Sequence, residues 1–153
     1  MTAALRAALA AHPICRGLLP EDIDRLLPRA LLRALPEGAA LCRSGAEARH
    51  AWLLLDGRIA LELFAAGSRV PLETAEAGEL VGWSWLFPPY HWHFDAVALA
   101  PTRVIELDGA TLRQDCEAEP AFGYRVMKAA LMQAQQRLER SRMQALNLYG
   151  SQG

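Results

Sequence analysis

The chain has 153 residues, 52% of them hydrophobic and 22% charged, with a formal net charge of −1. That length and apolar content supply one domain with a full core and leave no room for a second. The sequence lacks the run of roughly 18–20 apolar residues that a membrane span requires, Arg6 interrupts a start without signal-peptide layout, and no Lys/Arg cluster marks a nucleic-acid binder. The expectation is a cytoplasmic protein whose partners include neither membrane nor nucleic acid.

Residues 1–36 read as N-terminal helices. Leu5 and Leu9, then Ile23, Leu26 and Leu27, recur at helical spacing between Ala3 and Leu35, and Pro20-Glu21-Asp22 suits a first turn. The period then shortens, and residues 37–108 read as a β-roll. Apolar runs such as Ala51 to Leu55, Ile59 to Phe64 and Val104 to Leu107 are punctuated by Gly45, Gly57, Gly67, Gly78, Gly82 and Pro101. Asp56-Gly57 signals a tight hairpin, since Gly accepts the positive φ such turns need, and Ala65-Ala66-Gly67-Ser68 reads as a second tip.

Residues 109–150 read as C-terminal helices, with Asp108 as an N-cap. Tyr124, Met127, Leu131, Ala134, Leu138, Ser141, Ala145 and Leu148 follow one another at three and four, with neither Pro nor Gly between Tyr124 and Gly150. This narrow stripe either covers the chain's own roll or pairs with a partner helix. The flanking Gln133, Gln135, Gln136, Arg137, Glu139, Arg140 and Arg142 leave only a seam to bury and favour the partner.

Cys15, Cys42 and Cys116 are far apart and form no C-x-x-C pair, so they read as buried reduced thiols. Pro88-Pro89 stiffens a loop. Ser84 lies in no G-x-S-x-G elbow, and no enzyme is expected.

Three segments carry a family resemblance: Pro36-Glu37-Gly38-Ala39-Ala40-Leu41, Arg43-Ser44-Gly45-Ala46-Glu47-Ala48 and Leu54-Leu55-Asp56-Gly57-Arg58-Ile59-Ala60-Leu61. Over about residues 14 to 148 the chain resembles the cyclic-nucleotide-binding domain of bacterial catabolite-activator-type regulators and of eukaryotic kinases and channels. The resemblance implies an α+β, mainly β fold: a double-stranded β-helix, or cupin-like jelly roll, with short N-terminal helices and a long C-terminal dimerisation helix. It also implies a sensory or regulatory module that binds a small effector, a cyclic nucleotide or another molecule, and signals through a homodimer to a protein partner.

In the resembled family a phosphate-binding cassette follows a "G-E/D-x-x-G-E-x-A/S-L" run, with the Glu on the ribose and a later Arg on the cyclic phosphate. Here the run is Gly78-Glu79-Leu80-Val81-Gly82-Trp83-Ser84-Trp85-Leu86: both glycines match, Trp83 replaces the Glu, and the Arg position falls near Trp92 with no Arg between Gly82 and Pro101. Losing both polar anchors argues against ordinary cyclic AMP or cyclic GMP binding. The expected ligand site is Gly82, Trp83, Ser84, Trp85, His91, Trp92 and His93. Its aromatics either line a pocket for a flatter or more apolar effector or fill the pocket and leave a protein-interaction scaffold.

A reading from another class is a cupin-like metalloprotein, since His91-x-His93-x-Asp95 on a strand would turn two imidazoles and a carboxylate to one side. The later His and Glu of cupins are missing. In regulators of the resembled family a winged helix-turn-helix follows the long helix, whereas this chain ends at Gly153. The start at Met1 and the Gly-Ser-Gln-Gly end suggest a complete small protein whose output is a change in dimer geometry.

Overall fold

The structure, a computed structural model, describes residues 2–150; the final Ser-Gln-Gly lies outside them. Helix α1 (Thr2–Ala11) and helix α2 (Pro20–Leu26) flank a 3-10 turn at Pro13–Cys15. Pro20 starts α2 without wasting a hydrogen bond, and the Asp22 carboxylate accepts from the Leu19 N–H at 2.8 Å.

Eight strands follow: β1 (Ala30–Leu35), β2 (Ala40–Cys42), β3 (His50–Asp56), β4 (Arg58–Ala65), β5 (Ser68–Glu76), β6 (Leu80–Val81), β7 (Asp95–Ala98) and β8 (Thr102–Asp108). They form two four-stranded sheets, β1-β8-β3-β6 and β2-β7-β4-β5, with antiparallel pairing throughout. This is the expected α+β jelly roll.

The helical reading of the N-terminus stops too late. Ala30–Leu35 is strand β1, in register with β8 from Ala30↔Leu107 to Leu35↔Thr102, so the roll begins at residue 30 rather than 37. Pro28 ends the helical segment in a 3-10 turn at Leu27–Arg29, and the free edge of β8 supplies the partner that local periodicity does not reveal.

The Asp56-Gly57 turn is real but is not a hairpin. β3 pairs with β6 and β8, whereas β4 pairs with β5 and β7, so the turn carries the chain from one sheet to the other. Asp56 binds the Arg103 backbone N–H and guanidinium, and Gly57 (φ +86°) lies so close to Thr102 that a Cβ would overlap its side chain. The second tip behaves as read: Ala65 faces Ser68 across Ala66 (φ +51°) and Gly67 (φ +81°), two consecutive left-handed residues as a type I′ turn requires.

The central strands β8 and β3 of the β1-β8-β3-β6 sheet are buried on both faces. Ala51, Leu53 and Leu107 face the helices and meet Leu26, Leu112 and Val126. Trp52 and Glu106, paired across β3 and β8, carry the other face into the lumen of the roll. Asp108 caps α3 (Gly109–Ala118) by accepting from the Thr111 N–H. Pro120 then restarts the chain as α4 (Pro120–Gly150). Gly123 brings α4 against α3 so closely that a Cβ would lie 2.6 Å from the Cys116 carbonyl oxygen.

Helix α4 packs by apolar side chains at its start, Phe122 and Val126, and by its polar side from Gln133 onward. Gln133 and Arg137, read from sequence as solvent-facing flanks, are 5% and 8% exposed, whereas Leu131 and Leu138 of the apolar stripe are 70% and 49% exposed. The reason is the edge of β6. Gln133 Oε1 accepts from the Leu80 N–H and Gln133 Nε2 donates to the Leu80 carbonyl, both at 2.7 Å, so the side chain takes the place of a missing strand. The stripe does not cover this chain's own roll.

Candidate functional site

The Gly78–Phe94 segment includes β6, makes a 3-10 turn at Ser84–Leu86, and returns toward β7 through Pro88-Pro89. Two of its three tryptophans turn inward. Trp85 is 2% exposed, donates its Nε1–H to the Gly82 carbonyl at 2.9 Å, and packs on Gly109. Trp92, 4% exposed, enters the lumen and stacks on Trp52 with ring centroids 5.4 Å apart and planes at 30°. His50 continues the row beyond Trp52 at 6.1 Å, and Phe94 lies 5.9 Å from Trp92 on the other side.

The lumen also holds one buried carboxylate. Glu106 Oε1 accepts from Trp52 Nε1 at 2.8 Å and from Arg33 Nη1 at 2.6 Å. Burial pushes this carboxyl up, but the bonds from Trp52 and Arg33 outweigh it and hold Glu106 below the usual carboxylate range.

The remaining expected site residues lie apart from that row. Trp83 is half-buried beneath Arg137 of α4, whose guanidinium carbon lies 5.2 Å from the ring centroid. Arg137 also donates to the Leu80 carbonyl at 2.7 Å and pairs with Glu73 and Glu79, while Arg140 binds Glu79 at 2.7 Å. Ser84 is half-buried, and His91 and His93 are exposed. Gly82, Trp85 and Trp92 are thus brought together, whereas Trp83 belongs to the α4 contact and the histidines lie on the surface.

The His91, His93 and Asp95 triad does not converge. Asp95 accepts from the Ser44 N–H at 2.7 Å and is flanked by Arg43 and Arg69, a set that holds its carboxyl below the usual range and leaves it committed to cations. Among the described residues no group of three His, Cys, Asp or Glu side chains could hold a metal ion. The cupin-like metalloprotein is therefore set aside.

Several site-forming residues escape sequence reading. Arg113 lies over the Tyr90 ring at 4.0 Å and donates to the Trp85 carbonyl, so α3 pins the cassette from outside. Glu106 carried a usable signal, an acid inside the apolar run Val104-Ile105-Glu106-Leu107. Arg33, Arg113 and Arg137 carried none, because each meets its partner only across the fold.

Residues 32–119 match the family model of the cyclic nucleotide-binding domain. The chain belongs to that family. A protein described as a cyclic nucleotide-binding protein from Geobacter metallireducens is similar at 25% identity, with a TM-score of 0.77 over 89% of this chain and 96% of that one. A cyclic nucleotide-binding domain from Methylobacillus flagellatus superposes with a TM-score of 0.80 at 18% identity, over 94% of this chain and 84% of that one. The sensor domain of the transcriptional regulator DNR from Pseudomonas aeruginosa reaches 0.71 at 16% identity, over 90% of this chain and 93% of that one. The last two establish likeness of fold. No curated protein matches the sequence.

This member of the cyclic nucleotide-binding domain family keeps both cassette glycines, with φ +88° at Gly78 and +92° at Gly82. Trp83, which the sequence resemblance sets at the family's Glu position, points to α4. Trp92, which the resemblance sets near its Arg position, occupies the lumen.

Proposed function

We propose that this domain is a non-catalytic sensory or regulatory module that signals through a homodimer formed along α4. The observation that carries the reading is the inversion of that helix, which buries Gln133 and Arg137 against its own roll and turns Tyr124, Leu131 and Leu138 outward. An outward apolar seam on a helix held by polar contacts suits a second copy of the same helix.

The effector site in this reading is the cassette, with Gly82, Trp85 and Trp92 as its wall and Trp83, Ser84, His91 and His93 at its rim. Arg137 joins that rim to the signalling helix through Trp83, so a ligand that displaces Trp83 also loosens α4. The effector is not a cyclic nucleotide held in the family's usual manner, since the cassette has no Arg for the phosphate. The Trp52–Trp92 stack favours a second reading, an effector-free scaffold with a filled lumen that works through a protein partner.

Thermal-shift titration with cyclic AMP, cyclic GMP and cyclic dinucleotides, repeated under light scattering, tests both readings. A ligand at 100 times its dissociation constant stabilises by about 2.7 kcal/mol. A shift with a change in dimer population supports the sensor, whereas no shift and a ligand-independent dimer supports the scaffold. A monomer at all concentrations overturns the homodimeric sensor.

A further inference from the structure

A groove of about 650 Å³ runs between the Pro13–Cys15 turn, Gly78 and the first turns of α4, outside the roll and remote from the lumen. Its size falls within the range of small-molecule sites. No carboxylate lines it, whereas Arg16, Arg125 and Lys128 do. Arg125 is neutralised by Asp22 through two bonds of 2.6 and 2.8 Å. Among the described residues no ion pair engages Arg16, and Lys128 has only the Tyr124 ring at 6.0 Å. Both are exposed, so the groove presents two free cations beside an apolar wall.

The groove also has an apolar back. Ile14 and Ala129 line it and line a second, wholly apolar cavity of about 40 Å³, walled by Leu53, Leu80, Trp85 and Leu112 between the β1-β8-β3-β6 sheet and the helices. Cationic mouth and apolar recess therefore share two residues. We propose that this groove binds a small anionic amphiphile, a carboxylic acid whose head pairs with Arg16 and Lys128 and whose alkyl end passes Ile14 and Ala129 toward the recess. The cations select the charge of the head, and the recess selects an alkyl tail over a polar one. Such a ligand ties the N-terminal turn to α4 beside Tyr124, the first residue of the outward stripe, and so bears on how that helix is presented. The site stands apart from the cassette and does not depend on the sensor reading.

The test uses the full chain and sodium octanoate, with octylamine as the same tail bearing the opposite charge and acetate as the head without a tail. Octanoate is expected to raise the melting temperature saturably and to shift the NMR signals of the Trp85 indole, whose ring lines the recess, while octylamine and acetate do neither. Arg16→Gln with Lys128→Gln, both at exposed positions, should leave the unliganded melting temperature unchanged and weaken octanoate about tenfold. Equal stabilisation by octylamine, no response to octanoate, or undiminished octanoate binding by the double variant overturns the proposal. Co-sedimentation with phosphatidylglycerol vesicles without octanoate binding also overturns it, in favour of an anionic lipid surface.

Discussion

Gly82 lies directly against the indole of Trp92. Gly82 has φ +92°, and a Cβ placed there would come 2.5 Å from Trp92 Cη2 and 2.8 Å from Cζ3. The glycine that the family uses in its cassette here admits a tryptophan into the lumen. Gly82→Ala should cost about 1–3 kcal/mol through backbone strain and overlap together. Urea denaturation of Gly82→Ala in the wild-type and Trp92→Ala backgrounds separates the two: the cost should shrink when Trp92 is removed, and an equal cost in both would refute the steric part.

Gln133 supplies both bonds to Leu80 at the β6 edge. Gln133→Leu keeps the size but leaves a buried N–H unpaired and the carbonyl with Arg137 alone, so it should destabilise by about 1–3 kcal/mol. Amide exchange should report the loss at Leu80 first. A Leu80 amide that stays as protected as in the wild type would contradict the edge-capping role.

Leu131 and Leu138 are exposed within one chain, so charging them should hardly disturb the fold. Leu131→Glu with Leu138→Glu should give monomers by light scattering, each substitution changing the unfolding free energy of the single chain by no more than about 0.5 kcal/mol. A dimer that persists in this variant would remove α4 from the interface.

His12 is buried between α1 and the 3-10 turn. Its Nδ1 accepts from the Ile14 N–H at 3.2 Å, so Nε2 carries the proton and donates to the Leu54 carbonyl at 2.9 Å. Burial lowers the imidazole's pKa, against the opposing effect of the Leu54 bond. A base with a depressed folded pKa stabilises fully above its unfolded value, about 6.5, and that stability is lost as pH falls toward the folded value. Urea midpoints should therefore drop between about pH 7 and pH 5, and His12→Gln should flatten that part of the profile; an unchanged slope would show that His12 does not titrate there.

Much of the architecture was legible locally. The alternation and glycine punctuation of residues 41–107, the Ala66-Gly67 tip and the Asp108 cap are properties of short segments, and the structure places each where those segments imply. Ala30–Leu35 misled because a strand at the edge of β8 is defined by its partner, and its own residues tolerate either period. The site was legible in composition only: the tryptophans could be counted, but which of them turn inward depended on Gly82, Trp52 and Gly109 meeting them from elsewhere.

By itself the sequence determined the succession of helices, roll and long helix, and the absence of a phosphate-binding Arg from the cassette, since both depend on residue type and short-range spacing. Only the tertiary structure decided that Trp85 and Trp92 are core while Trp83 belongs to α4, and that α4 packs through Gln133 and Arg137. The physical reason is the open edge of β6: its unpaired backbone groups, distant in sequence from the helix, draw polar side chains inward and leave the apolar stripe outside.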